Sequence, residues 1–162
     1  MVAVQPTVAE IWKWLEAIAD PEIPVLSITD LAIVRDIQWN AGEDKLVVTI
    51  TPTYSGCPAM DAIADEIRRS MKEHGIDRLE LVTKLSPPWT TDWMSDQAKQ
   101  RLREYGIAPP RDSLVQIEEA NPACPQCGSP QTKLISRYGS TPCKALYKCL
   151  SCLEPFDAFK RH

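Results

Sequence analysis

The chain has 162 residues, a net charge of −4 and a pI near 5.2, with 44% hydrophobic and 25% charged residues. This composition excludes a wholly disordered chain, and the acidic balance excludes the electrostatic footprint of a non-specific nucleic-acid binder. There is no apolar run of about 18 residues and no basic stretch leading into an apolar one at the start, so neither a membrane span nor a secretory signal is expected, and the expected location is cytoplasmic.

Thr7 and Glu10 have the spacing of a capping box, and Val8, Ile11, Trp12, Leu15, Ile18 and Ala19 follow at helical intervals. A first helix is predicted, stopped at Asp20-Pro21 because the residue before a proline is pushed out of the helical region. Residues 20–31 carry two prolines and the carboxylates Asp20, Glu22 and Asp30 in an otherwise apolar stretch. This is a structured loop, in which Asp20 and Glu22 are either presented toward a site or are solvated turn residues. Residues 32–39 and 45–51 alternate as strands around the turn residues 40–44, which predicts a hairpin.

The stretch from Thr51 through Gly56, Cys57 and Pro58 passes from the second strand into a helix. Pro58 suits the first helical position, and Ala59, Ile63, Ile67 and Met71 form an apolar stripe ending at Gly75. Cys57 therefore falls at the predicted N-cap, where backbone N–H groups and the helix dipole favour a thiolate. The alternative is a small buried hydrophobe. Residues 79–85 read as a third strand. The order helix, strand, strand, helix, strand predicts an α+β domain with helices packed on one face of a three-stranded sheet.

Trp89, Trp93 and Met94 lie in a proline-led, non-periodic segment, which either folds back on its own domain or offers a partner surface. Ser95 is placed to cap a helix from 96 to 105 that Gly106 closes. The expected domains are 1–106, a linker over 107–120, and a ribbon over 121–162.

Cys124 and Cys127, then Cys149 and Cys152, form two Cys-x-x-Cys knuckles with the spacing of a zinc ribbon. Without an export signal, such pairs indicate a reducing compartment and a metal rather than disulfides. The segment is too small to hold a core alone, so the metal supplies folding energy. Zinc in a closed structural site is expected, with iron as the alternative. Cys143 is left over between the knuckles, either a buried apolar residue beneath the ribbon or an exchangeable ligand or second reactive thiol. His74 and His162 suit helix-end and tail positions.

The block from Val8 to Leu85, with Asp20-Pro21-Glu22 and the Gly56-Cys57-Pro58 motif, resembles the SufT-like iron-sulfur assembly domains. The whole chain, including the segment around Trp89 and Trp93 and the ribbon segment from Ser140 to Cys149, resembles the D-subunit family of bacterial phenylacetyl-CoA epoxidase systems. That resemblance implies an accessory or maturation role in aerobic phenylacetate catabolism, not the oxygenase chemistry itself. Cys57 would be the reactive thiol, transiently holding iron, a cluster or an adduct, with Asp20 and Glu22 beside it. The partners implied are the epoxidase subunits or their reductase, with no nucleic acid and no membrane. The residues agree: there is no di-iron carboxylate and Glu-x-x-His set, no dinucleotide fingerprint and no ferredoxin cysteine run. A cysteine-nucleophile enzyme and a nucleic-acid-binding ribbon are the competing classes.

Overall fold

In the computed structural model of the chain, which describes residues 5–111 and 121–161, Thr7 opens the first helix as its spacing predicts. Its Oγ1 accepts the Glu10 N–H at 3.3 Å, and its own N–H donates to Glu10 Oε2 at 2.8 Å, so two orphan donors are satisfied reciprocally. Helix α1 (Val8–Glu16) buries Ile11 and Leu15. It ends before Ala19 because the following backbone is taken elsewhere: Ile28 N–H donates to Ile18 O at 3.0 Å and Asp20 N–H to Leu26 O at 2.8 Å. The loop from 18 to 33 is thus closed on itself by backbone bonds.

The chain divides into two compact units, Met1–Trp89 and Thr90–His162. In the first, β1 (Val34–Asn40) pairs antiparallel with β2 (Lys45–Ile50), the predicted hairpin. Helix α2 (Ala59–Glu73) then crosses over to β3 (Leu79–Thr83), which pairs parallel with β2, so the sheet order is β1-β2-β3. Register places Trp39, Leu46 and Leu79 in one row and Ile37, Val48 and Leu81 in the next. A bulge between Val34 and Asp36 lets Val34 bury on the same face as Ile37 despite their odd spacing. Ile63, Ile67 and Met71 of α2 supply the matching apolar stripe.

The second unit holds a 3-10 turn (Thr91–Trp93) and α3 (Asp96–Tyr105), capped by Ser95 Oγ on the Ala98 N–H at 3.1 Å and closed by Gly106 at φ +95°. It continues into β4 (Ile107–Ala108), β5 (Thr132–Ser136), β6 (Lys144–Cys149) and β7 (Pro155–Phe159), a four-stranded sheet of order β4-β7-β6-β5. Residues expected to begin the linker, Ile107 and Ala108, pair with Asp157 and Ala158 and so belong to the sheet. The rest of that expected linker from 112 to 120 lies outside the described residues, as does His162.

The aromatic segment divides. Trp89 is buried, and its indole Nε1–H donates to Leu31 O at 2.7 Å, which ties the chain after β3 to the acidic loop. Met94 is buried, while Trp93 is half-buried. Trp89→Phe removes the only polar group of that side chain from a buried bond, so a loss of about 1–3 kcal/mol is expected in urea unfolding. An unchanged midpoint would contradict the tether.

Candidate functional site

Two sets of residues carry chemistry, one in each unit. In the ribbon, the Sγ atoms of Cys124, Cys127, Cys149 and Cys152 all lie within 4.8 Å of one another. Cys124 and Cys152 approach to 3.7 Å, and Cys127 and Cys149 to 3.6 Å. A tetrahedron with metal–sulfur bonds of about 2.3 Å requires sulfur separations of roughly 3.8 Å, so the donor set fits one tetrathiolate-bound ion.

The two knuckles are built alike. Cys124 N–H donates to Ser129 O and Cys149 N–H to Glu154 O, each at 2.9 Å, across the same five-residue offset. Each knuckle also needs a left-handed residue after its second cysteine: Gly128 at φ +75° and Leu153 at φ +67°. Glycine adopts that region without strain, whereas leucine does so at a cost of about 1–2 kcal/mol. Leu153 is 63% exposed, so little packing offsets the strain. Leu153→Gly is therefore expected to stabilise the ribbon by about 1 kcal/mol, read as a higher thermal midpoint of the metal-loaded protein. A lower midpoint would show that the leucine side chain packs in a way its exposure does not indicate.

The thiols are electrostatically unequal. Cys149 Sγ accepts the N–H groups of Cys152 and Ser151, each at 3.4 Å, and the Cys152 N–H contributes most to holding it down at about 6. Cys152 is drawn down by the Glu154 backbone N–H, but burial and the three neighbouring sulfurs outweigh this and push it up to about 12. A depressed thiol contributes stability that is present above its unfolded value and lost as pH falls through its folded value. For Cys149 that window runs from 9.0 down to about 6. Cys152 behaves oppositely, its contribution to folding being lost only as pH rises from 9.0 toward about 12. With a fixed concentration of competing chelator, metal retention should fall as pH is lowered, because protons compete for the thiolates: the metal must displace a proton from Cys152 across the neutral range, and Cys149 adds to the loss only as pH falls through about 6. Retention independent of pH would contradict thiolate ligation.

The leftover thiol, Cys143, is buried, with Thr141 Oγ1 3.0 Å from its Sγ. Motif reading missed the polar cluster beside it. Ser140 Oγ donates to Asp157 Oδ2 at 2.6 Å, Lys144 Nζ lies 3.9 Å from the same oxygen, and a Cβ at Gly139 would sit 2.3 Å from Asp157 Oδ1. The available signal was Asp157 itself, the one charged residue in the apolar strand β7.

In the first unit, Cys57 lies in the loop that leaves β2. Its N–H donates to Tyr54 O at 3.3 Å, closing a turn that holds Gly56 at φ +82°. The expected N-cap position is off by one residue: α2 starts at Ala59, and Pro58, with no side-chain acceptor, stands at the cap. Cys57 instead closes the leading turn, its carbonyl accepting the Met60 N–H at 3.2 Å. Its side chain is half-buried.

Asp20 is neither a solvated turn residue nor turned outward. It is buried, and Oδ1 accepts the N–H groups of Glu22 at 2.9 Å and Ile23 at 2.8 Å. Glu22 itself is half-buried. Sheet register brings these loops together at one end: Ile50 closes β2 opposite Val34 and Thr83, and Thr51 N–H donates to Ile33 O at 2.8 Å. The loop of Asp20 and Glu22, the loop of Cys57 and the segment leading to Trp89 therefore all leave from the same sheet end. His74 stands apart at the other end of α2, its ring stacked on Trp14 at 3.9 Å.

A helix-strand-strand-helix-strand unit with a thiol loop at its sheet end, followed by a four-cysteine ribbon, is a two-module architecture that matches two known families in turn. The family described as iron-sulfur cluster assembly protein matches residues 8–76, and the PaaD zinc beta ribbon domain matches residues 108–160. A protein of Escherichia coli (strain K12), named as the D subunit of 1,2-phenylacetyl-CoA epoxidase, is 51% identical over 156 residues, which cover 96% of this chain and 93% of that protein. The chain belongs to this D-subunit family. The Fe-S protein maturation auxiliary factor YitW of Bacillus subtilis (strain 168) is 37% identical over 90 residues, 54% of this chain and 85% of its own. Among solved structures, a domain of unknown function, DUF59, from Bacillus anthracis is 28% identical with a TM-score of 0.53, covering 58% of this chain and 89% of that one. Among the described residues, no helix is long and apolar enough to cross a membrane.

Proposed function

We propose that this protein is an accessory maturation factor of the phenylacetyl-CoA ring-epoxidising oxygenase, acting in the cytoplasm to assist assembly of an iron or iron-sulfur cofactor. The observation that carries this is the presence of both modules in one chain whose similarity to the Escherichia coli protein runs through 96% of its length. Cys57 is the residue that receives the cargo. A thiolate is a soft ligand suited to iron and sulfur, and a half-buried sulfur on a turn leaves the remaining coordination positions open to a client. An open position is what lets cargo leave by ligand exchange, unlike a closed site.

Asp20 acts one step back, holding the acidic loop in shape through its two backbone bonds, while Glu22 offers a carboxylate at the same sheet end. Cys124, Cys127, Cys149 and Cys152 hold a structural zinc, which would join the two knuckles and supply no reaction chemistry. Cargo handling belongs to the first unit, which ends at Trp89 and not at the expected 106, and the ribbon lies within the second unit. The ribbon docks a client among the epoxidase subunits or their reductase.

The test is to produce the oxygenase together with either the native chain or Cys57→Ser and to count iron per purified oxygenase. Depletion with the variant is expected. Full iron loading with the variant would reject the role of Cys57.

A further inference from the structure

Charge is divided unequally along the chain. Residues 1–89 hold eight basic and fourteen acidic side chains, whereas residues 121–161 hold six basic and two acidic ones. On the outer face of the ribbon sheet, Lys133 of β5 and Lys148 of β6 are direct cross-strand partners, and both are exposed. Like charges directly opposite each other destabilise a strand pair. Among the described residues neither lysine side chain has a carboxylate or hydrogen-bond partner, and the one acidic residue of β7, Asp157, is taken by Ser140 and Lys144.

The same face carries an apolar recess. In the register, Leu146 stands opposite Asp157 and Lys148 opposite Pro155, so these four alternate outward. Leu146, Pro155 and Asp157 of this face, with Tyr138, Ser140 and Phe156, line a pocket of about 340 Å³, and Lys148 is the cross-strand neighbour of its Pro155. Lys160 Nζ stands 4.6 Å above the ring of Tyr138, one of the pocket's lining residues, while donating to Pro142 O at 2.7 Å.

Resting on the docking role assigned to the ribbon, we infer that this face binds an acidic segment of the partner protein, its carboxylates set on Lys133 and Lys148 and one apolar or aromatic side chain seated in the pocket beside Tyr138. A protein segment fits better than nucleic acid because it can set carboxylates on the lysines and an uncharged side chain beside Asp157, whereas a nucleic acid brings continuous phosphate charge to a chain of net charge −4. The unpaired lysines are then not a defect of the sheet but a charge held for the complex.

The experiment uses the zinc-loaded full chain and a synthetic peptide with one phenylalanine flanked by aspartate and glutamate. Amide NMR shifts should move at Lys133, Tyr138, Leu146 and Lys148, and affinity should fall with added salt. Exchanging the phenylalanine for serine should weaken binding. The double variant Lys133→Glu, Lys148→Glu should lose about tenfold or more in affinity. The single variant Lys133→Glu separates binding from folding: it should bind more weakly yet melt no lower than the native protein, because it turns a repulsive pair into an attractive one. Shifts confined to other surfaces, affinity indifferent to the lysine reversals, or tighter binding of a single-stranded DNA oligonucleotide at equal salt would overturn the assignment. Since the readout needs no oxygenase and leaves Cys57 untouched, its failure with Cys57-dependent iron loading intact would reject this surface alone.

Discussion

Cys149→Ser is expected to unfold the ribbon and release its metal while the first unit keeps its fold. The inner face of the ribbon sheet gathers Ala108, Cys124, Cys149, Phe156 and Ala158, with Tyr147 packed against them. Phe156 is the one large apolar side chain fully committed there, and burying such a side chain contributes only about 1.5–3 kcal/mol. Ordering the backbone costs about 1–2 kcal/mol per residue, so this cluster by itself does not offset the cost of ordering the strands around it. Structural zinc in small modules contributes on the order of 10–16 kcal/mol of apparent binding free energy. Serine removes one of four thiolates and leaves the Ser151 and Cys152 N–H groups without their sulfur acceptor. Melting should then show an early transition for the ribbon and a separate one for the first unit, whose core of Ile11, Leu15, Leu46, Val48, Ile63 and Ile67 is its own. Native protein treated with a strong chelator should behave likewise. A single native-like transition in the metal-free protein would show that the ribbon folds without an ion.

The second large effect is functional. Cys57→Ser exchanges sulfur for oxygen on a half-buried side chain in a surface turn, where substitutions away from special contacts change stability by no more than about 0.5 kcal/mol. Oxygen is a poor ligand for the soft metals and clusters that thiolates hold. Disturbing a group that only supports a ligand already costs about 10–100-fold in metal affinity, and here the ligand itself is exchanged, so the client's iron content should fall at least as far while the melting curve of this protein is unchanged. The pairing of those two readouts matters. A destabilised variant would lower client iron for trivial reasons, and an unchanged client would remove Cys57 from the mechanism.

Much of this was legible in the chain because local rules and tertiary structure agree. The Thr7 box, the β-branched run before Thr51, the stripe along α2 and the Ser95 and Gly106 caps each state their element without reference to anything distant. The ribbon cysteines were legible for a different reason: four thiols in two short pairs have few other physical uses. What stayed hidden depends on partners far apart in sequence. Helix α1 stops at Glu16 because the Ile18 carbonyl and the Asp20 N–H are claimed by Ile28 and Leu26, which no helical periodicity reports. Asp20 reads as a surface carboxylate until the loop folds over it. Ile107 and Ala108 look like the start of a linker until β7 pairs with them. Lys133 and Lys148, fifteen positions apart, become a feature only once the register sets them face to face.

The most direct test of the central claim is metal analysis with optical spectra on protein purified without oxygen, comparing the native chain with Cys57→Ser after exposure to ferrous iron and sulfide. The expected result is one zinc per chain in both, with iron bound by the native protein and lost from the variant. Equal iron in the two, or iron retained only when the ribbon cysteines are intact, would contradict a carrier site at Cys57.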